Sequence, residues 1–588
     1  MNKGDRTRIV IASAVAATIF TGFSARLVHI QITQHENYAR LAAEKHTQRR
    51  ITPARRGMIL DRNGEILAAN LPVRTVFADA SLINEPQGLA DLVAERLNLD
   101  SAELVKKFAT EKKYIVLKRK VPEQECLDLF DEMRARKLRG LNSKEDSIRT
   151  YPNGVMLGHV LGFLNHERKG VQGIERMFNA ELEGTDGYRF TERDRTGREI
   201  VPYRGIEVEP VHGRDIRLSI DMHLQAILEE ELDATYKELT PETVTGILVD
   251  PNTGGILAMA SRPAFDPNNP GKAEPEQMKN RAIIDMVEPG STFKIVVAAA
   301  ALNEGEVDEK TSIFCENGRF SYGGRTLRDH HGYGNMTVHD ILVKSSNIGS
   351  AKMALMMGGD KFYEYVRRFG FGERLGIELP GEIPGLVHPP SRWDKLTITR
   401  MPMGHAIAVT PLQIAMSMSV IANGGKLMSP RIVESLESDD SRGKTLKGPV
   451  VLRDVIPQKT ARFVGDALAA VTQPGGTATY ARVTGFNVAG KTGTAQKVSP
   501  KGGYAAGKYV VSFAGFMPAE DPRFVCLVIV DDAKVPSHLN YGGVLAAPVF
   551  SRIAEKTARY MDLTPTLQAI PLQEAPLAKV ESTTLETH

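Results

Sequence analysis

Cysteine is scarce in this 588-residue chain, and a strong net charge is missing as well. The three cysteines, Cys126, Cys315 and Cys526, lie far apart with no C-x-x-C pair, which excludes a zinc knuckle and a dense disulfide framework. One disulfide with one free thiol stays open, but three buried, reduced cysteines are the simpler prediction. The 74 basic and 71 acidic residues leave a formal net charge of +3, and no basic segment is interleaved with aromatic residues. Both observations argue against a nucleic-acid-binding protein.

One long uncharged apolar run stands out at residues 9–25, directly after the basic residues Lys3, Arg6 and Arg8. At about 1.5 Å per residue it spans about 25 Å, the lower end of what crosses a bilayer. A cleaved signal peptide is the alternative, but Phe23 stands where cleavage requires a small residue. The sequence therefore predicts an uncleaved single-pass anchor, with a short cytoplasmic N-terminus and the rest of the chain outside the cytoplasm.

The remaining sequence predicts more than one domain, since its length exceeds one typical core. After the N-terminus and anchor (1–30), residues 31–215 combine an Asn63-Gly64 hairpin with charged helical segments and Gly-rich turns, as in an irregular α+β domain. Residues 216–563 have strands at both ends and a long helical middle, which predicts one antiparallel sheet flanked by helices. Residues 564–588, rich in Pro and Thr, are predicted to be a disordered tail.

The first candidate catalytic element is the stretch EPGSTFKIVVAAAALN. Pro289-Gly290 breaks the chain, and an apolar helix is predicted from Ser291 onwards. Ser291 and Lys294 stand at i and i+3, on one face of that helix. A serine hydroxyl needs an adjacent base, and a lysine amine serves as one when desolvation or a second cation keeps it neutral. This pair therefore predicts a serine acyl-transfer site.

Two further elements follow in the chain. Ser345-Ser346-Asn347 is an S-x-N triplet before another helical segment, and on its own it is typical of a helix N-cap. KTGT, at 491–494, begins an apolar strand, and on its own it is typical of a hairpin edge where glycine allows close approach. The order of the three elements is more informative than any one of them.

Three other patterns suggest different chemistry. GFNVAGKT at 485–492 matches a phosphate-binding P-loop, but the residues after it are a poor helix start and no buried strand is predicted before it. The adjacent histidines of RDHHGYG, at 328–334, lack a third ligand nearby, so a structural loop is predicted rather than a metal site. A second S-x-x-K, from Ser441 to Lys444, has no apolar helix after it.

The ordered trio S-x-x-K, S-x-N and K-T-G resembles the penicillin-binding proteins and β-lactamases. RRGMILDRNGEILA and GVQGIERMFNAELEG are similar to the N-terminal module of class B (monofunctional) penicillin-binding proteins, and DPNTGGILAMAS, VTPLQIA and VAGKTGTAQK are similar to their transpeptidase domain. EPGSTFK favours the division-specific, FtsI-type branch over the elongation branch. His405-Ala406 departs from the Gly-rich GxG of many relatives, a difference that puts no catalytic role in doubt.

The resemblance implies a role for each of these residues. Ser291 would be the acyl-forming nucleophile and Lys294 its base, while Ser345 would relay a proton and Asn347 would hold the amide of the donor peptide.

The resemblance also implies the substrate-facing strand. Lys491, Thr492 and Thr494 would face the terminal carboxylate of the substrate, for which a cation and two hydroxyls are a suitable receptor. Gly493 would let a substrate backbone lie close to the strand. The backbone N–H groups of Ser291 and Thr494 would form the oxyanion hole, and Lys491 would help to keep the lysine base neutral.

The implied activity is peptidoglycan D,D-transpeptidation. A serine acyl-enzyme formed on a D-Ala-D-Ala donor would be resolved by an amine of a neighbouring stem peptide, and β-lactams would acylate the same serine. No metal or organic cofactor is implied. A polytopic cell-wall glycosyltransferase and other division proteins would be partners, at the bacterial inner membrane with the catalytic domain in the periplasm. An elongation-type transpeptidase, a D,D-carboxypeptidase, a β-lactamase and a β-lactam-binding sensor remain as alternatives; the anchor and the large 31–215 module favour a fixed cell-wall synthase.

Overall fold

The computed structural model describes residues 3–38, 47–110, 112–192, 207–438, 442–499 and 503–567. The chain divides into two compact units, Met1–Gly57 with Glu183–Gly213 and Met58–Leu182 with Arg214–His588. Most of the predicted tail lies outside the described residues.

The first unit contains a long N-terminal helix and a small sheet. The helix Lys3–Val28 continues as a π-helix, His29–Thr33. Its segment Arg6–Thr33 has the length and apolar composition of a membrane span, and none of it is buried in the protein. This helix fits the predicted membrane anchor. The antiparallel sheet consists of the strands Thr47–Thr52, Gly187–Glu192 and Glu207–Val208.

The second unit begins with the predicted hairpin around Asn63-Gly64, which is confirmed. Ile59–Leu60 pairs antiparallel with Ile66–Ala78, and Gly64 has the positive φ, +98°, that the turn requires. The charged helical segments are confirmed as the helices Pro86–Leu97, Ser101–Phe108 and Glu123–Ala135. The strand Ile115–Pro122 between the last two was not predicted, because its sequence IVLKRKVP does not alternate between apolar and polar residues.

Seven strands form a mixed sheet that contains segments from both sides of residue 215. Its order is Thr445–Leu446, Val433–Glu437, Asp215–Leu218, Ile59–Leu60, Ile66–Ala78 and Ile115–Pro122, with Leu141–Thr150 paired to Ile66–Ala78. Ile59 lies opposite Ile216 in the parallel pair, and both side chains are fully buried. This pairing ties the hairpin after the anchor to the start of the larger C-terminal region.

The largest core surrounds a five-stranded antiparallel sheet, which confirms the predicted layered domain. Its order is Ile256–Arg262, Thr243–Val249, Phe524–Asp531, Tyr504–Met517 and Ala489–Val498. Every residue of the first two strands is buried, so both faces of the sheet are covered. The helices that pack on it and on each other form two pairs, Met222–Leu239 with Gly542–Tyr560 and Pro411–Ala422 with Gln458–Thr472.

Short helices and hairpins complete the described chain. The other α-helices are Gly158–Leu161, Gly173–Met177, Asn179–Glu183, Arg281–Ile284, Lys294–Asn303, Val338–Val343, Asn347–Met357, Gly359–Arg368 and Thr397–Arg400. The small two-stranded sheets pair Ser312–Phe314 with Asn335–Thr337, Arg319–Tyr322 with Arg325–Arg328, and Lys426–Met428 with Val451–Asp454.

Candidate active site

Ser291 lies in a one-turn 3-10 helix, Gly290–Phe293, that leads directly into the helix Lys294–Asn303. That helix is apolar on all sides and buried from its first residue to Ala301, so it is fixed by packing. Gly290 has φ +58°, and a Cβ there would lie 3.0 Å from the backbone N and O of Thr494. The turn that carries Ser291 therefore packs directly on the KTGT strand.

Lys294 is fully buried and reaches the S-x-N triplet. Its Nζ donates to the backbone O of Ser345 at 2.5 Å and to Oδ1 of Asn347 at 2.8 Å, and the Ser345 Oγ lies 3.0 Å away. Burial lowers the pKa of Lys294 well below its usual range, and the nearby positive charge of Lys491 lowers this pKa further, against an opposing effect of Asp329. A neutral amine in this position can exchange a proton with Ser345.

Asp329 holds the S-x-N triplet in place. Its carboxylate accepts hydrogen bonds from the Ser346 hydroxyl at 2.6 Å, from the Asn347 N–H at 2.5 Å and from the Ile348 N–H at 3.1 Å. These donors stand at the start of the helix Asn347–Met357, where a negative charge is favourable. The Asn347 side chain is oriented further by its Nδ2, which donates to the backbone O of Arg328 at 3.0 Å.

The KTGT residues lie within the strand Ala489–Val498, which excludes the P-loop arrangement of a loop followed by a helix. Lys491 is fully buried, and burial lowers its pKa to about 7. Its Nζ lies 3.4 Å from Oγ1 of Thr492, and Oγ1 of Thr494 accepts the N–H of Gly542 at 3.2 Å. A Cβ on Gly493 would lie 2.3 Å from the Ser512 Oγ and 2.8 Å from the carbonyl O of Pro289, so this glycine permits contact with the Ser291 turn.

The predicted residues come together around one cleft of about 630 Å³. The predicted residues that line it are Ser291, Ser345, Asn347, Thr492 and Thr494. The two predicted lysines are buried beside it, and Gly493 packs behind it. The arrangement thus presents two serine hydroxyls, two threonine hydroxyls and an amide to the cleft, beside two buried amines.

Three features of the cleft were not predicted from the sequence. In the sequence Asp329 stands out only as part of a possible metal loop. Its capping role is not predicted, because an acidic residue that caps a helix from a distant segment leaves no local signal. Lys344, next to the S-x-N triplet, donates to the backbone O of Gly475 at 2.7 Å and so fixes a glycine-rich loop at the rim. His405 lines the cleft and contacts Glu288, and only its departure from GxG distinguished it in the sequence.

Three further sequence patterns are the possible metal loop, the cysteines and the second S-x-x-K. Among the described residues, no group of three or more His, Cys, Asp or Glu side chains could hold a metal ion. The three cysteines are free and buried, as predicted. Ser441 of the second S-x-x-K lies outside the described residues.

Comparison with known proteins identifies the family. Residues 244–555 match the penicillin binding protein transpeptidase domain, and residues 51–218 match the penicillin-binding protein dimerisation domain. The chain is 34% identical over 517 residues to peptidoglycan D,D-transpeptidase FtsI of Escherichia coli, covering 87% of this chain and 84% of that protein. It is 33% identical over 567 residues to stage V sporulation protein D of Bacillus subtilis, covering 95% and 86%.

Solved structures agree with the sequence relatives. Penicillin binding protein 3 of Mycobacterium tuberculosis, complexed with ampicillin, superposes with a TM-score of 0.68 at 27% identity, covering 90% of this chain and all of that chain. Because the family profile covers more than half of the chain and the relatives cover most of it, the chain belongs to the class B penicillin-binding proteins of the FtsI type, which are serine transpeptidases.

Proposed function

We propose that this protein is a peptidoglycan D,D-transpeptidase that cross-links stem peptides in septal cell-wall synthesis, through an acyl-enzyme on Ser291. The observation that carries the proposal is the buried Lys294, whose pKa is lowered by burial and by Lys491 and whose Nζ lies 3.0 Å from the Ser345 hydroxyl. A buried amine whose pKa is lowered loses its proton more readily, and the neutral amine is the base that a serine nucleophile needs.

In the acylation step, Lys294 takes the Ser291 proton while Oγ attacks the penultimate D-Ala carbonyl of the donor. The backbone N–H groups of Ser291 and Thr494 receive the oxyanion, a role supported by the packing of the Ser291 turn on Thr494. Ser345 passes the proton on to the departing D-Ala amine, so that the C–N bond breaks as the ester forms. The side-chain amide of Asn347 binds the donor backbone.

Recognition of the donor carboxylate falls to the KTGT strand. The hydroxyls of Thr492 and Thr494 line the cleft, and the fully buried Lys491 acts on the carboxylate from beneath them. A bound carboxylate favours the charged form of Lys491, and that charge in turn favours the neutral form of Lys294. Gly493 contributes by letting the strand and the nucleophile turn approach each other.

The location and the module roles are part of the same proposal. The N-terminal helix anchors the protein in the bacterial inner membrane with its N-terminus in the cytoplasm, and the catalytic domain faces the periplasm. Residues 31–215 serve as a pedestal and partner-binding surface, and residues 216–563 form the catalytic domain. The partners are a polytopic cell-wall glycosyltransferase and other division proteins, and the septal assignment rests on the FtsI-type relatives.

Labelling with a fluorescent penicillin tests the nucleophile. The full-length protein in detergent is expected to take up stable label, and Ser291→Ala is expected to take up none. Ser441→Ala is the matched control, since Ser441 begins the other S-x-x-K, and it is expected to label like the wild type. Label that persists in Ser291→Ala would refute the assignment, and label released within seconds would favour a β-lactamase.

A further inference from the structure

Glu288, His405 and Tyr504 form a cluster at the rim of the cleft. The Nδ1 of His405 lies 2.8 Å from Oε2 of Glu288, whose Oε1 accepts the N–H of Ala406 at 3.1 Å. The Tyr504 hydroxyl donates to both carboxylate oxygens at 3.2 and 3.3 Å, and its ring packs edge-on against the imidazole. Burial and the Glu288 carboxylate raise the pKa of Tyr504 to about 12, so the hydroxyl remains a donor.

The cluster is built directly onto the turn that carries Ser291. Glu288 precedes Ser291 by three residues, and the carbonyl O of Gly404, next to His405, accepts the N–H of Gly290 at 3.3 Å. A Cβ on Gly404 would lie 2.1 Å from the carbonyl O of Gly290, so the two segments are in direct backbone contact. His405 and Ser291 consequently line the same cleft.

The hydrogen bonds of His405 determine which ring nitrogen is basic. The Tyr504 hydroxyl also lies 3.2 Å from Nδ1, but it donates to the Glu288 carboxylate. A carboxylate only accepts hydrogen bonds, so the 2.8 Å contact with Glu288 assigns the proton to Nδ1. The lone pair of the neutral ring then lies on Nε2, and no residue of the described chain hydrogen-bonds to that atom. A histidine oriented by a carboxylate at Nδ1 with Nε2 free is the arrangement of a general base.

The transpeptidation reaction needs such a base in its second half. The acceptor is an amine, and an alkyl ammonium with a pKa of roughly 10 is almost entirely protonated at neutral pH and cannot attack. Lys294 is fully buried and its Nζ is occupied by Ser345 and Asn347. The other cleft histidines, His330 and His331, pack against aromatic rings, and no carboxylate of the described chain orients them by a hydrogen bond.

We infer that His405, held by Glu288, is the catalytic base that deprotonates the acceptor ammonium during attack on the acyl-enzyme. This inference rests on the proposed transpeptidase function and assigns the deacylation base of the same site. The acceptor R–NH3⁺ gives one proton to Nε2 of His405, and the resulting R–NH2 attacks the ester carbonyl. The new C–N bond forms, and the ester bond to Ser291 Oγ breaks as the attacking nitrogen passes its second proton through Ser345 and the neutral Lys294 to that Oγ. The imidazolium, stabilised by Glu288, releases its proton to solvent.

The competing explanation is a purely structural clamp, in which the His405 Nδ1 contact with Glu288 only holds the two segments together. The variant His405→Asn separates a clamp from a catalytic base. The asparagine amide can reproduce the Nδ1 donor toward Glu288 but has no atom in the place of Nε2. The clamp should therefore survive while the base is lost. His339→Asn is the matched control, because His339 also lies beside a carboxylate, with Nδ1 3.6 Å from Asp340, but does not line the cleft.

The experiment measures the two half-reactions separately in the full-length protein in detergent. Acylation is followed with a fluorescent penicillin, and partition of the acyl-enzyme is followed with a thioester donor and D-alanine as the acceptor amine. In His405→Asn, acylation should stay within about twofold of wild type, while aminolysis should fall by about 100-fold and recover when imidazole is added to the buffer. His339→Asn should match the wild type in both reactions.

Each other result overturns the inference. Unchanged aminolysis in His405→Asn would remove the base assignment, and an equal fall in acylation and aminolysis would identify a clamp only. Should His405→Asn fail to fold, Glu288→Gln supplies the test. It should lower aminolysis by about tenfold and spare acylation, because the ring loses the charge that fixes its tautomer. Wild-type protein that takes up no penicillin would instead refute the proposed function.

Discussion

Replacing Asp329 with asparagine tests whether the S-x-N triplet is positioned by a distant carboxylate. In the structure this side chain accepts three hydrogen bonds, from the Ser346 hydroxyl and from the N–H groups of Asn347 and Ile348. An asparagine keeps one carbonyl oxygen for the N–H groups but loses the negative charge. The Ser346 hydroxyl must then rotate to meet an amide N–H.

The expected loss of stability is modest, because the geometry is retained in part. A negative charge at a helix N-terminus contributes about 0.3–1 kcal/mol, and weakening a charge-assisted hydrogen bond to a neutral one costs about 1 kcal/mol. The free energy of unfolding should therefore fall by about 1–2 kcal/mol. The rate of acylation should fall more, by about 10- to 100-fold, since small displacements of catalytic groups have large effects. Ser345 has φ +59°, a strained conformation that depends on its surroundings.

The pH dependence of the acylation rate should shift in a direction that a merely destabilised protein would not show. Asp329 raises the pKa of Lys294, so its neutralisation lowers that pKa further. Acylation requires the neutral amine, and it fails as pH falls through the pKa of Lys294. The acidic limb of the acylation profile should accordingly move to lower pH, while the maximum rate decreases.

Stopped-flow acylation with a chromogenic β-lactam measures both quantities. Asp340→Asn is the matched control, since the Asp340 carboxylate also accepts an N–H and a hydroxyl at a helix start, both from Thr337 before the helix Val338–Val343. It should lose similar stability and keep the wild-type acylation rate. An acidic limb that moves to higher pH in Asp329→Asn, or a rate that falls equally in the control, would refute the positioning role.

Three more predictions concern stability and packing. Lys491→Met should abolish efficient acylation yet raise the free energy of unfolding at pH 7 by up to about 4 kcal/mol, because burial lowers the pKa of Lys491 to about 7 and so costs stability while the unfolded chain keeps this lysine charged. The gain should vanish at about pH 10–11, where Lys491 is neutral in the unfolded chain as well. Gly493→Ala should lose about 1–3 kcal/mol and most penicillin labelling, since its Cβ meets the Ser512 Oγ, whereas Gly448→Ala, with open space around it, should change neither. Thr410→Ala removes a capping box and should lower the free energy of unfolding by about 1 kcal/mol with labelling unchanged, as thermal shift and labelling assays can show.

The sequence predicts the parts of the site that carry their own local signal. Ser291 follows a Pro-Gly break and precedes a wholly apolar run, and the structure has a turn and a buried helix there. Thr410, Pro411 and Gln413 predict a helix start, and the structure has the reciprocal capping bonds. Both signals span only a few residues, so no tertiary information is needed to interpret them.

Contacts between distant segments could not be predicted in this way. Asp329 caps a helix that begins 18 residues later, and Glu288 meets a histidine 117 residues away. The sequence around each of these residues has an ordinary composition. Only the fold brings the two partners of each contact within hydrogen-bonding distance. The strand Ile115–Pro122 was missed for a related reason, since its pairing with Ile66–Ala78 overrides a sequence that has no alternation.

In the proposed mechanism, the two buried lysines couple recognition of the donor carboxylate to activation of Ser291. Lys491 has a pKa of about 7, so near neutral pH its charge depends on what occupies the cleft above it. A donor carboxylate held by the neighbouring threonines stabilises the charged form, and that charge lowers the pKa of Lys294. Lys294, the proposed base, is thus most completely neutral when a substrate with a terminal carboxylate is present. Selectivity for carboxylate-bearing donors then follows from the acylation rate as well as from binding.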